Sequence, residues 1–134
     1  MIALDSSVVV ASFGAWHEHH AAARRVLARR PRLPAHVGLE AYSVLTRLPE
    51  PFRADPRTVA EFLARTFAGE RLVLGADEQA RLPARLAGLG IAGGAVYDAL
   101  VAVTAAAAAA QLLTLDQRAL ATYTRCEVPA RLLV

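Results

Sequence analysis

The chain has 134 residues, enough for one compact domain with a core of its own and too few for a second. Its hydrophobic fraction of 55% is high, yet the longest charge-free stretch, residues 99–115, is mostly alanine, carries Thr104, Gln111 and Thr114, and falls short of the ~20 apolar residues of a membrane span. All fifteen basic residues are arginine, against twelve acids, for a formal charge of +3; a mechanism that needs a lysine is excluded, and the surface field favours a polyanion such as a phosphodiester backbone.

The apolar opening Ile2-Ala3-Leu4 predicts a first strand, closed by Asp5-Ser6-Ser7, residues that suit a strand end or a helix N-cap, with a helix from about residue 8. Asp5 interrupts that apolar run and no basic residue precedes it, so no secretory signal is expected. Residues 17–29 read as helix, and Pro31 and Pro34 then bracket a short strand around Leu33. Over about residues 35–48, Val37, Ala41, Val44, Leu45 and Leu48 recur at helical spacing and place Glu40 at the edge of the buried stripe. Asp55-Pro56 is a helix start, with a capping acid before proline at the first helical position. Val59, Phe62, Leu63, Thr66 and Phe67 form the apolar face of that helix, which needs either the sheet or a second subunit against it.

Leu72-Val73-Leu74 predicts a strand, residues 77–89 a helix kinked at Pro83, and Gly88, Gly90, Gly93 and Gly94 a turn. A helix over 95–109, a strand to Leu115, a short helix near Tyr123 and a last strand over 131–134 complete the alternation. Strands alternating with helices predict an α/β domain spanning 1–134, with a largely parallel sheet covered on both faces. Cys126 has no partner for an intrachain disulfide, so a cytoplasmic protein is expected.

Four acids stand where a carboxylate is awkward without a role. Asp5 and Asp116 end apolar runs, Glu40 edges a helical stripe, and Asp98 opens an almost uncharged helix. Such positions converge at the edge of an open α/β sheet where ligands bind. Carboxylate oxygens suit hard cations, which polarise a phosphoryl oxygen and activate water without a nucleophilic side chain. The competing reading is that each acid is a helix cap or a surface charge.

The sequence resembles the PIN-domain ribonucleases and, within them, the VapC toxins of bacterial toxin–antitoxin pairs. The matching pieces are Ile2-Ala3-Leu4-Asp5-Ser6-Ser7-Val8, Glu40, Gly93-Gly94-Ala95-Val96-Tyr97-Asp98-Ala99-Leu100 and Leu112-Leu113-Thr114-Leu115-Asp116, in that order over nearly the whole chain. The resemblance implies an α/β/α sandwich and endonucleolytic cleavage of RNA with Mg2+ or Mn2+. It implies Asp5 and Asp98 as principal metal ligands, Glu40 as a further ligand or water-positioning carboxylate, and Asp116 as the fourth acid. Ser7 and Thr114 are candidates to orient the ligating carboxylates. The resemblance also implies a VapB-like antitoxin, whose C-terminal segment would lie over the acids, and a homodimer. Two other functions fit the same residues: a DNA nuclease acting on flaps or single strands, and a nucleic-acid-binding protein without turnover.

Other motifs carry less. Gly88-Leu89-Gly90-Ile91-Ala92-Gly93 spells a dinucleotide fingerprint but follows a helix, so it reads as a turn. His17-Glu18-His19-His20 lacks the zinc-protease spacing, because Ala21 stands four residues after His17; an exposed helix start is the simpler reading, a metal or RNA contact the other. Phe13, Trp16 and Tyr123 suit either core packing or stacking on bases. Receivers and haloacid-dehalogenase-like phosphatases, other acid-rich α/β folds, use a pocket lysine that this chain lacks.

Overall fold

A computed structural model describes all residues, 1–134. In chain order the elements are β1 (Ile2–Leu4), α1 (Ser6–Phe13), α2 (His20–Leu27), α3 (Ala35–Thr46), α4 (Pro56–Thr66), α5 (Ala76–Gly88), α6 (Ala95–Ala107), β2 (Gln111–Thr114), α7 (Gln117–Arg125) and β3 (Ala130–Leu132). The strands form one parallel sheet in the order β1-β2-β3, with Leu4 opposite Leu113 and Leu113 opposite Arg131. Successive strand residues point to opposite faces, yet Ala3, Leu4, Leu112, Leu113 and Thr114 are all buried, so helices cover both faces of the sheet. This is the parallel sheet covered on both faces that the alternating pattern predicts, and the α/β/α sandwich that the family resemblance implies. One continuous core joins the strands to Val8, Val9, Val37, Leu45, Ala99, Ala102 and Tyr123.

The two strands expected around Leu33 and at 72–74 are present only as single parallel bridges, Ala3 with Arg32 and Pro34 with Leu72. The proline at Pro34 has no N–H for the ladder, and α3 begins at the next residue, so the segment is too short to pair along its length. Leu72 still donates to Leu33 O at 2.9 Å, while Val73 faces solvent. The second helix begins at His20 rather than His17, because Gly14 to His19 form turns. Helix α5 runs through Pro83. The glycines after it form a turn, with Gly90 and Gly93 at positive φ, where a Cβ would be strained.

The apolar face of α4 has its partner within the chain. Val59, Leu63 and Phe67 are buried, and Phe62 meets the Phe13 ring edge-on at 5.1 Å. That face is therefore not available to a second subunit.

Candidate active site

Parallel strands place all their C-terminal ends on one edge, and the helices that follow begin there. Asp5 follows β1 and is the N-cap of α1; Asp116 lies just past β2 and is the N-cap of α7; Asp98 is in the first turn of α6. Each acid meets the positive end of a helix dipole. Glu40 reaches the same edge from the middle of α3, where its Oε1 accepts from Ser6 Oγ and its Oε2 lies 3.4 Å from His36 Nε2, one turn back. The capping reading of Asp5 and Asp116 is thus correct as far as it goes, and it does not exclude a second role.

Asp5 is 3% exposed, and both of its oxygens are hydrogen-bonded. Oδ1 accepts from Ser7 N at 3.0 Å, from Ser7 Oγ and from Val8 N at 3.4 Å, while Oδ2 accepts from the Tyr123 hydroxyl at 2.9 Å. Burial pushes its carboxyl above the usual range, and the hydroxyls of Ser7, Thr114 and Tyr123 pull it part of the way back. The Tyr123 phenol is pushed far up in turn, by burial and then by the Asp5 charge, so it stays a hydrogen-bond donor. A carboxylate offers about four lone-pair positions, and Oδ2 of Asp5 keeps one beside the tyrosine.

Ser7 ties the two strand ends together. Its Oγ accepts from Leu115 N at 2.8 Å and lies 3.3 Å from Thr114 Oγ1, which accepts from Asp116 N at 3.0 Å. Asp116 itself caps through Oδ1 alone, from Arg118 N at 2.8 Å and Ala119 N at 3.3 Å. Its side chain is exposed.

Asp98 is perturbed as well, and without the hydrogen bonds that hold Asp5. Its pKa is pushed up to about 6, by burial first and then by the charges of Glu40, Asp116 and Asp5, with His36 acting the other way. Asp98 is therefore close enough to the other three sequence-predicted acids to feel their charges. No three His, Cys, Asp or Glu side chains stand in a geometry that would grip an ion directly. Mg2+ keeps several waters and takes only one or two protein carboxylates, so a pair of these acids would be enough to hold it. The donor set fits that group: it is all oxygen, and its excess negative charge is what a cation neutralises.

Residues 2–124 match the PIN domain family. The chain is 50% identical over 132 residues, 98% of either chain, to ribonuclease VapC40 of Mycobacterium tuberculosis H37Rv. The chain belongs to the VapC family of PIN-domain ribonucleases. A second relative, ribonuclease VapC27 of the same strain, is 43% identical over 128 residues, 95% of this chain and 93% of that one. Within this VapC-type site the structure adds three residues to those expected from sequence. Tyr123 is neither a base stacker nor plain core: it is buried and donates to Asp5 from 118 positions away, a separation that leaves no sequence signal. Ser6 and His36 hold Glu40 from two sides, and His36 stacks on Tyr97 at 5.4 Å with the rings 10° from parallel. The i,i+4 spacing of His36 and Glu40 is a signal the sequence did carry. A cavity of about 580 Å3 between α5 and α6 contains none of these residues.

Proposed function

We propose that this VapC-family ribonuclease cleaves RNA internally with a divalent cation, Mg2+ or Mn2+, held at Asp5, Asp98, Glu40 and Asp116, and that it is the toxin of a toxin–antitoxin pair. One observation carries this reading: carboxylates that follow β1 and β2 and that stand on α3 and α6 come together at the sheet edge, where burial first and then the charges of Glu40, Asp116 and Asp5 raise Asp98 to about 6. Capping accounts for Asp5 and Asp116 one at a time; it does not account for Asp98 facing three like charges, which a cation would relieve.

Asp5 and Asp98 are the principal ligands. Asp5 is held rigid by Ser7, Val8 and Tyr123, so its remaining lone pair points in one direction. Asp98 has no such restraint and accommodates a shell of waters. Glu40, oriented by Ser6 and His36, is placed to hold or orient the attacking water and to accept its proton. Asp116 supplies the fourth charge through the carboxylate oxygen its helix does not use. When bound, the cation polarises the phosphoryl oxygen and stabilises charge on the leaving oxygen. Ser7 and Thr114 keep the β1 and β2 ends in register, so that Asp5 and Asp116 face one space.

The partner follows from the same charge. A VapB-type antitoxin inhibits by laying a segment over this edge and placing a cationic side chain among the carboxylates. The toxin pairs as a homodimer through a surface other than the apolar face of α4, which is buried. No helix is long and apolar enough to cross a membrane, and the protein acts in the cytoplasm, where its RNA is.

The test is incubation of total cellular RNA with antitoxin-free protein and Mg2+ or Mn2+, beside EDTA and Asp98→Asn controls. Discrete fragments that vanish in both controls support the reading; matched DNA oligonucleotides cut in preference to RNA would overturn the substrate. RNA left intact by folded protein at every metal concentration would overturn catalysis.

A further inference from the structure

The histidine-rich turn between α1 and α2 has no part in the site described so far, although it stands beside it. A cavity of about 340 Å3 is floored by Ser6, Ser7 and Leu115 and walled by His17, Glu18 and His19. Its floor is the back of the acid cluster, since Ser7 donates to Asp5 and Ser6 to Glu40. Its volume falls in the range of small-ligand sites, roughly 300–1,000 Å3.

A line of rings leads out of this cavity. His19 is 5.9 Å from His17, His17 is 5.8 Å from Trp16, and Trp16 is 5.3 Å from Phe52, all ring centroid to centroid. The two outer rings are 44% and 45% exposed, in a chain whose aromatic content is only 6%. The turn that carries Trp16, His17 and His19 is also fixed in place. His17 Nδ1 accepts the His19 N–H at 3.0 Å, which leaves the proton on Nε2, and His20 Nδ1 donates to Ala11 O at 2.7 Å, pinning the turn to α1. The Trp16 indole lies over Gly14 so closely that a Cβ there would meet it at 2.6 Å. Burial, and then His19, hold His17 below the usual histidine range, so its ring is neutral at pH 7 and free to stack.

We infer that Phe52, Trp16, His17 and His19 form a stacking track for the bases of single-stranded RNA, with the nucleotide next to the cleaved bond seated in the cavity over Ser6 and Ser7. The inference rests on the ribonuclease reading above and extends it to how substrate is recognised. Rings present a face to any base, so the track selects unpaired RNA over duplex with little regard to sequence. The carboxylates hold the backbone and carry no base information, and the track supplies what they lack. Continuity with the acid cluster of a ribonuclease is what points to RNA at this surface, and the antitoxin segment proposed for the same edge is the occupant the variants below tell apart from it.

Trp16 is the only tryptophan, so its fluorescence reports on the track directly. The experiment titrates Asp98→Asn protein, which binds without turnover, with an unstructured oligoribonucleotide and with an abasic oligomer of the same length. Saturable quenching by the first and not the second is expected. With otherwise wild-type protein, Phe52→Ala and Trp16→Ala should each raise KM for single-stranded RNA about tenfold and leave kcat within about a factor of two. RNA that is bound and cut without quenching, or with KM unchanged in both variants, would overturn the track. Variants that lose antitoxin affinity at unchanged KM would assign the surface to a protein partner and overturn it equally. Base-dependent quenching in a protein that cuts no RNA with any metal would leave the track standing and remove the catalytic reading instead.

Discussion

Asp5 and Asp98 are two carboxylates of the proposed site, and they are built in opposite ways. Asp5 is buried at the end of β1 with donors on both oxygens, from its own helix and from a tyrosine at the other end of the chain. Asp98 lies in the first turn of α6, half-buried, facing three like charges and with no donor of its own. The first acid belongs to the fold as much as to the chemistry. The second is set against its surroundings by burial and by its acidic neighbours, and the proposed cation would offset both.

The largest expected effect is common to both. Asp98→Asn and Asp5→Asn should each lower cleavage on the order of a thousandfold, because a lost metal ligand removes several kcal/mol of charge stabilisation. Single-turnover assays on one RNA check this, and near-equal loss would show that the site needs both acids. Stability should separate them. Asp5→Ala removes the cap of α1 and strands the buried Tyr123 hydroxyl, for a loss of about 3 kcal/mol by denaturant unfolding. An unchanged midpoint would show that Asp5 is held by function alone.

Tyr123→Phe should sharpen the same contrast. Loss of the bond to Asp5 Oδ2 should weaken Mn2+ binding about tenfold by titration calorimetry and cost about 1.5 kcal/mol of stability, with no covalent step touched. The smallest effect is the most diagnostic. Asp98 has a pKa of about 6, above the ordinary 3.8, so its ionisation opposes folding, and the stability present below pH 3.8 is lost as pH rises through 6. Metal-free Asp98→Asn protein should therefore be more stable than wild type at pH 7, by about 1 kcal/mol once solvent screening is allowed for, and equal to it near pH 4. Saturating Mg2+ should reverse the order at pH 7. A variant less stable than wild type at pH 7 without metal would mean that Asp98 is a structural acid like Asp5.

Much of the fold was legible because it depends on neighbours in sequence. Asp55-Pro56 starts α4 as its capping chemistry requires, with Asp55 accepting from Thr58 N at 3.1 Å. The apolar spacing around Glu40 gave the right face of α3, and the closing acids of β1 and β2 stand at helix N-caps. The strands at Leu33 and 72–74 were over-read, because alternation in a few residues says nothing about whether a partner of equal length lies alongside. The helix expected from His17 failed for a related reason: the turn there is pinned by His20 on Ala11 of α1, a contact between elements.

The sequence by itself determined the elements, the acidic residue types and the order in which they occur, since capping, periodicity and the chemistry of carboxylates act within a few residues or within one side chain. Only the tertiary structure decided which groups meet. The parallel order β1-β2-β3 brings Asp5 and Asp116 to one edge, and the packing of α3, α6 and α7 against it sets Glu40, Asp98 and Tyr123 around them. Electrostatic coupling falls with distance and rises with burial, and both are properties of the folded chain.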